Sequence, residues 1–158
     1  KVDQLPDENL SETFDKLTKR PIPPDLEKGM KINGFEVESL IHASNRTQVY
    51  LAKDSQTNEA VILKTPSINF EDDAQYLKHF MYEEWVGQRI QCANVVKIHN
   101  SSEESKFLAY AMEHVNGQTL RQWMQDNPQP DIKVVVSLVK QIIQGLRAFH
   151  RQEMLHCD

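Results

Sequence analysis

The apolar residues of this chain change their spacing twice, and that double change leaves few folds open. From Phe35, apolar and polar side chains alternate: Phe35 and Val37, then Val49 and Leu51, then Val61 and Leu63. A repeat of two is the mark of half-buried strands, because successive side chains point to opposite faces. The polar cluster Asp54 to Glu59 separates two of these runs as a hairpin turn would. After Pro66 the spacing becomes helical, with Leu77, Phe80, Gly87 and Ile90 along one side, and Val95 to Ile98 and Phe107 to Met112 return to strand character. The expected order is strands, one helix, strands.

The last third is helical. Asn116-Gly117 is a turn signal, and Leu120, Trp123 and Met124 form a short helical pattern that stops before Asn127-Pro128. Asp131 is a suitable N-cap for a longer helix reaching about His150, since Val135, Leu138, Val139, Ile142, Ile143, Leu146 and Phe149 recur at helical spacing. Residues 1–32 are different. They hold four of the seven prolines among many charges, the composition of a linker or wrapping arm, in which Leu10, Phe14 and Leu17 allow one short docked helix.

Bulk properties narrow the function classes. With 158 residues the chain can bury one ordinary core, and a net charge of -5 gives no general attraction to nucleic acid or anionic lipid. Cys92 and Cys157 lie far apart without metal-ligand spacing, which fits reduced thiols in a cytoplasmic setting, with Cys92 a small buried hydrophobe. The six histidines show no metal-ligand pattern; His79 and His99 read as surface or boundary residues, and no metal site is expected. No apolar run reaches the roughly 18 residues of a membrane span.

One residue of the first long helix is out of place. Phe80, Glu83, Gly87 and Ile90 step by three and four and share a face, so Glu83 is an acid on an apolar stripe, whereas Glu84 is expected to point to water. An unpaired buried carboxylate costs several kcal/mol, so a cation should meet it. Lys64, closing the apolar strand Val61-Ile62-Leu63, is the best candidate.

Here a resemblance emerges, over about residues 33 to 158. The chain resembles the start of a eukaryotic-like protein kinase domain. Val61-Ile62-Leu63-Lys64 is similar to the family's V-A-I-K strand, Glu83 sits where its helix glutamate belongs, Met112-Glu113-His114-Val115 resembles gatekeeper and hinge, and Leu155-His156-Cys157-Asp158 resembles the H-R-D opening of the catalytic loop. The resemblance implies ATP as phosphoryl donor. Lys64 would contact its α and β phosphates and Glu83 would orient Lys64. The backbone of Glu113 and Val115 would read the adenine edge, Thr119 would lie at the ribose, and Asp158 would be the catalytic acid that accepts the proton of a protein substrate's hydroxyl. Mg2+ ligands would follow Asp158.

Departures from the pattern bear on the same site. Where the family has G-x-G-x-x-G-x-V over the phosphates, this chain has His42-Ala43-Ser44-Asn45-Arg46-Thr47-Gln48-Val49, so Cβ atoms at His42, Ser44 and Thr47 replace all three glycines and should hold the loop farther from phosphate. Ile62 stands where a small alanine usually covers the adenine. Gly87 replaces a larger residue beneath the helix glutamate, so that helix is expected to be less firmly seated. Cys157 replaces an arginine that in many kinases pairs with a phosphorylated loop. Residues Val2 to Pro6, running into the acidic arm, resemble the junction in bacterial proteins that fuse a PP2C-type phosphatase domain to a Ser/Thr kinase. That implies an upstream phosphatase domain and a possible membrane anchor past the kinase domain of the parent.

The sequence therefore predicts an α+β fold: a kinase-like small lobe of twisted antiparallel sheet plus one helix over 33–115, and the first helices of a larger lobe over 116–158. The parent would transfer the ATP γ-phosphoryl to protein Ser or Thr, the piece in hand being inactive by itself. A regulatory pseudokinase acting as a binding module is the alternative, and a small-molecule phosphotransferase a more distant one. The missing glycines predict weak nucleotide binding: titrating ATP into the intact protein should give a dissociation constant above the micromolar range, and an ordinary micromolar value would overturn this reading.

Overall fold

The computed structural model describes residues 19–99 and 105–154. The helix expected around Leu10, Phe14 and Leu17, the junction at Val2 to Pro6, and the motif Leu155 to Asp158 lie outside the described residues. These residues divide into two compact units. The first holds 19–88, 98–99 and 105–114, and the second holds 89–97 and 115–154.

The first unit is built on a five-stranded antiparallel sheet in sequence order: β1 (Lys31–Ile32), β2 (Phe35–Ala43), β3 (Thr47–Asp54), β4 (Ala60–Pro66) and β5 (Tyr110–Glu113). Each turn has a local cause. Between β1 and β2, Asn33 and Gly34 both take positive φ, which suits their small or hydrogen-bonding side chains. Between β3 and β4, the Asp54 carboxylate accepts the backbone N–H groups of Gln56 and Thr57, and these bonds hold its pKa below the usual value.

Antiparallel register decides which residues share a face. Val37, Tyr50, Ala52, Val61, Leu63 and Ala111 turn to one side and form the buried core with Ile32 and Ala109. On β3 the sequence pattern had singled out Val49 and Leu51, which lie on the opposite, half-buried face. Both faces of β3 are thus apolar. The chain before β1 also packs inward: Ile22 is buried, the carbonyl of Pro21 accepts from Leu108 N–H at 2.9 Å, and Leu26 N–H donates to the Tyr50 hydroxyl at 3.2 Å.

After a single 3-10 turn at Ile68–Phe70, α1 (Ala74–Arg89) begins where the Asp73 carboxylate accepts the N–H of Tyr76. Leu77, Phe80 and Met81 pack with Ile22, Leu108 and Tyr110 into a second buried cluster. Glu84 is buried on the same stripe, at 5% exposure, while the Glu83 side chain is 55% exposed. The expectation for the two acids is therefore reversed. At about 100° per residue, Glu84 falls at the centre of the stripe set by Leu77, Phe80 and Met81, and Glu83 falls at its edge.

Residues 95–98 form no strand; Ile98 makes an isolated antiparallel bridge with Met112, and His99 N–H donates to the Ala111 carbonyl at 2.8 Å. The strand expected from Phe107 begins only at Tyr110. Ile98 also explains Gly87. A Cβ at Gly87 would stand 2.3 Å from Ile98 Cγ1, so the space beneath the helix is filled by Ile98 and the helix is closely seated, contrary to expectation.

In the second unit, α2 (Leu120–Asp126) starts at Thr119, whose hydroxyl accepts Gln122 N–H, and α3 (Ile132–His150) starts at Asp131, whose carboxylate accepts Lys133 N–H at 2.8 Å. Gly145 is buried because the Asn94 carbonyl approaches it, 3.0 Å from where a Cβ would sit. Cys92 is half-buried, its thiol directed at the Gln144 carbonyl. Ile132, Val139, Ile142, Ile143 and Leu146 of α3 are exposed. Among the described residues no helix is long and apolar enough to cross a membrane.

Gly87→Val is expected to lower stability by about 1–3 kcal/mol, outweighing the smaller gain in helix propensity, because the added methyls meet Ile98. Chemical denaturation should show Ile98→Ala restoring part of that loss in the double variant.

Candidate functional site

Cross-strand pairing assembles the predicted residues. His42 on β2 faces Val49 on β3, Val49 faces Lys64 on β4, and Lys64 faces Tyr110 on β5, giving one row across four strands. The adjoining row is Leu51, Ile62 and Met112. Rows on one face lie side by side, so His42, Val49, Ile62, Lys64 and Met112 share the face opposite the core, His42 exposed and the other four half-buried. Two irregularities in β2, between Val37 and Ser39 and between Leu40 and His42, reset the register that brings His42 onto Val49.

Lys64 meets Glu83 of α1. Its ammonium donates to both carboxylate oxygens, at 2.7 and 2.8 Å. Lys64 is the enclosed partner, 19% exposed against 55% for Glu83, so the bond is a device for aiming the lysine from the helix edge rather than for burying an acid. Two of the three ammonium N–H donors are taken up, and the third remains for another acceptor. The Tyr110 ring lies 5.7 Å from the ammonium. Its hydroxyl is buried, and burial, followed by the Glu83 carboxylate, pushes the phenol far above its ordinary range. Sequence reasoning missed Tyr110; its position opposite Lys64 follows only from strand register.

The turn between β2 and β3 is closed by its own side chains. Ser44 N–H donates to the Thr47 carbonyl at 2.9 Å, and the Ser44 hydroxyl accepts the N–H groups of Arg46 at 3.3 Å and Thr47 at 3.0 Å. Two amides that a glycine loop would leave free for an anion are thus already satisfied. Arg46 reaches back to the residues leading into α1. Its guanidinium lies 5.3 Å from the Phe70 ring centre and 5.8 Å from that of Tyr76, and its carbonyl accepts from Ser67 N–H at 2.7 Å and from the Tyr76 hydroxyl. Tyr76 Oη also lies 3.3 Å from Thr47 Oγ1. Since the phenol proton goes to the Arg46 carbonyl, the Thr47 hydroxyl is the donor. Burial raises the Tyr76 pKa.

The remaining predicted residues fall elsewhere. Glu113 ends β5, opposite Val61. Val115 and Thr119 belong to the second unit, where Val115 is exposed and Thr119 caps α2, which engages its hydroxyl oxygen as an acceptor and leaves its proton available. Asp158 lies outside the described residues. Among the described residues no group of three or more His, Cys, Asp or Glu gathers to hold a metal ion.

Because Glu83 is over half exposed, Glu83→Gln is expected to change unfolding free energy by less than about 1 kcal/mol, as exposed ion pairs do. A denaturation series at low and high salt checks this; a loss of several kcal/mol would mean that the pair is structural.

Comparison with known proteins agrees with the geometry. The family model for the protein kinase domain matches residues 35–158. The chain is 24% identical over 131 residues to the serine/threonine-protein kinase PrkC of Bacillus subtilis, covering 82% of this chain and 20% of that protein. It is 24% identical over 133 residues to the serine/threonine-protein kinase PknL of Mycobacterium tuberculosis, covering 84% of this chain and 33% of that protein. A crystal structure of the Mycobacterium tuberculosis PknI kinase domain superposes with a TM-score of 0.68 at 25% identity, covering 85% of this chain and 55% of that one. The chain therefore spans a third or less of these curated relatives. A five-stranded antiparallel sheet, a lysine aimed by a helix glutamate, and a family match over residues 35–158 together establish that this chain belongs to the protein kinase domain family.

Proposed function

We propose that this chain carries the nucleotide-binding part of a protein Ser/Thr kinase that transfers the γ-phosphoryl of ATP to a protein hydroxyl. The observation that carries the reading is the two-oxygen bond from Lys64 to Glu83. A lysine fixed in this way keeps one N–H donor for the α and β phosphates, where the ammonium would offset negative charge during transfer. The residues present suit a nucleotide: Val49, Ile62 and Met112 offer a half-buried apolar surface for a base beside Lys64. His42, Ser44 and Thr47 would border the phosphates, Glu113 and Val115 would offer backbone groups to the adenine edge, and Thr119 would lie near the ribose.

In the proposed step the substrate hydroxyl oxygen bonds to the γ phosphorus as the bond from that phosphorus to the β,γ-bridging oxygen breaks. ADP leaves with the electron pair, and Asp158 takes the hydroxyl proton. Kinase chemistry generally employs Mg2+ to neutralise phosphate charge; among the described residues no group of three or more His, Cys, Asp or Glu gathers to hold it. The same reading makes residues 1–158 alone inactive, and it carries forward an upstream phosphatase domain and a cytoplasmic site of action for the parent.

The full-length protein, given ATP with Mg2+ and a general protein substrate, should phosphorylate Ser or Thr, and Lys64→Met and Asp158→Asn should each lower the rate at least about a hundredfold. Transfer undiminished by either substitution would defeat the reading. Absence of transfer from the wild type would favour a pseudokinase, and transfer to choline or an amino sugar in place of protein would favour a small-molecule kinase.

A further inference from the structure

The bonds around Arg46 go beyond what the nucleotide-site reading uses. In a turn whose amides are held by Ser44, Arg46 is the residue that leaves the turn: its carbonyl takes two hydrogen bonds, from Ser67 and Tyr76, and its guanidinium lies against Phe70 and Tyr76. Tyr76 stands in the first turn of α1, next to its capping acid Asp73, and Phe70 lies 5.2 Å from it, ring to ring. Glu83 is seven residues farther along the same helix, almost two turns away and on the same side. The turn and the glutamate that aims Lys64 are therefore attached to one rigid rod.

We propose that Arg46 and Tyr76 are positioning residues that fasten the 44–47 turn to the start of α1, so that the turn over the nucleotide phosphates and the helix carrying Glu83 move as one body. This rests on the nucleotide-site reading above. A loop of glycines is free to close on phosphate by its own flexibility. Here three positions carry side chains, and the fastening supplies by fixed geometry what flexibility would otherwise provide. Tyr76 acts through its hydroxyl, bonding the Arg46 carbonyl and receiving the Thr47 hydroxyl proton, while its ring serves the cation.

Two arms test this in the full-length protein. The first needs no nucleotide: amide hydrogen exchange of the wild type and of Tyr76→Phe, which removes one hydroxyl and keeps the ring. Protection is expected to fall together at residues 44–47 and in the first turn of α1, with the core amides of Val61 and Leu63 unchanged. Loss spread evenly over the sheet, or no loss at the turn, overturns the proposal. The second arm is kinetic: Tyr76→Phe and Arg46→Ala should each raise KM for ATP about threefold to tenfold with kcat changed less than twofold, the double variant should be no worse than about the larger single effect, and Arg46→Lys should recover only part. Independent, multiplying effects of the two substitutions, or an unchanged KM, count against it. If the wild type binds no nucleotide, the kinase reading fails, and the exchange arm still decides whether the fastening exists.

Discussion

Everything at the site depends on β4 lying between β3 and β5. A central strand hydrogen-bonded on both sides cannot slip by one residue without turning Val61 and Leu63 out of the core and Lys64 into it. The core therefore holds the register, and the register aims the lysine. Glu83 completes the aim from outside the sheet. This division of labour explains why the ion pair can be half in water: it does not hold the lobe together, and it is free to be tuned for direction.

Much of this was legible in the residues. The change of spacing at Pro66 marked the end of the hairpin strands and the coming helix, Asp131 announced α3, and the improbable acid of the helix led to Lys64. The reasoning that found the pair was nevertheless wrong about burial. A helical stripe is wide enough to include either of two adjacent acids, and only the packing partners of Leu77 and Phe80 decide that Glu84 is the inner one. Glu84 is served there by Gln88, which donates to it at 3.1 Å.

Other misses have the same origin in tertiary contact. Val95 to Ile98 has strand composition, yet its apolar residues are spent one by one: Val95 near Gly145, Ile98 into the gap beside Gly87. β1 is two residues long, too short to show any period. The network at Arg46 was invisible because no spacing rule connects residue 46 with residues 67, 70 and 76. What the sequence did supply was the missing glycines, and the structure adds that a serine hydroxyl stands in for the outside acceptor those amides would seek.

The side chain of Asn33 has a consequence for the sheet as a whole. Its amide nitrogen donates to the Phe107 carbonyl at 2.8 Å, and its oxygen accepts the N–H groups of Lys106 and Phe107. A residue in the β1–β2 turn is thereby tied to the chain just ahead of β5, which stands at the opposite edge of the same sheet. Open sheets present two rows of unpaired backbone groups to which a foreign strand can add. Here β1 pairs only with Phe35 and Glu36 of β2 at one edge, the other edge receives Ile98 and His99, and Asn33 links the two. One side chain thus couples the two ends of the sheet, so that a loosening of the β1–β2 turn would be felt in the chain leading into β5.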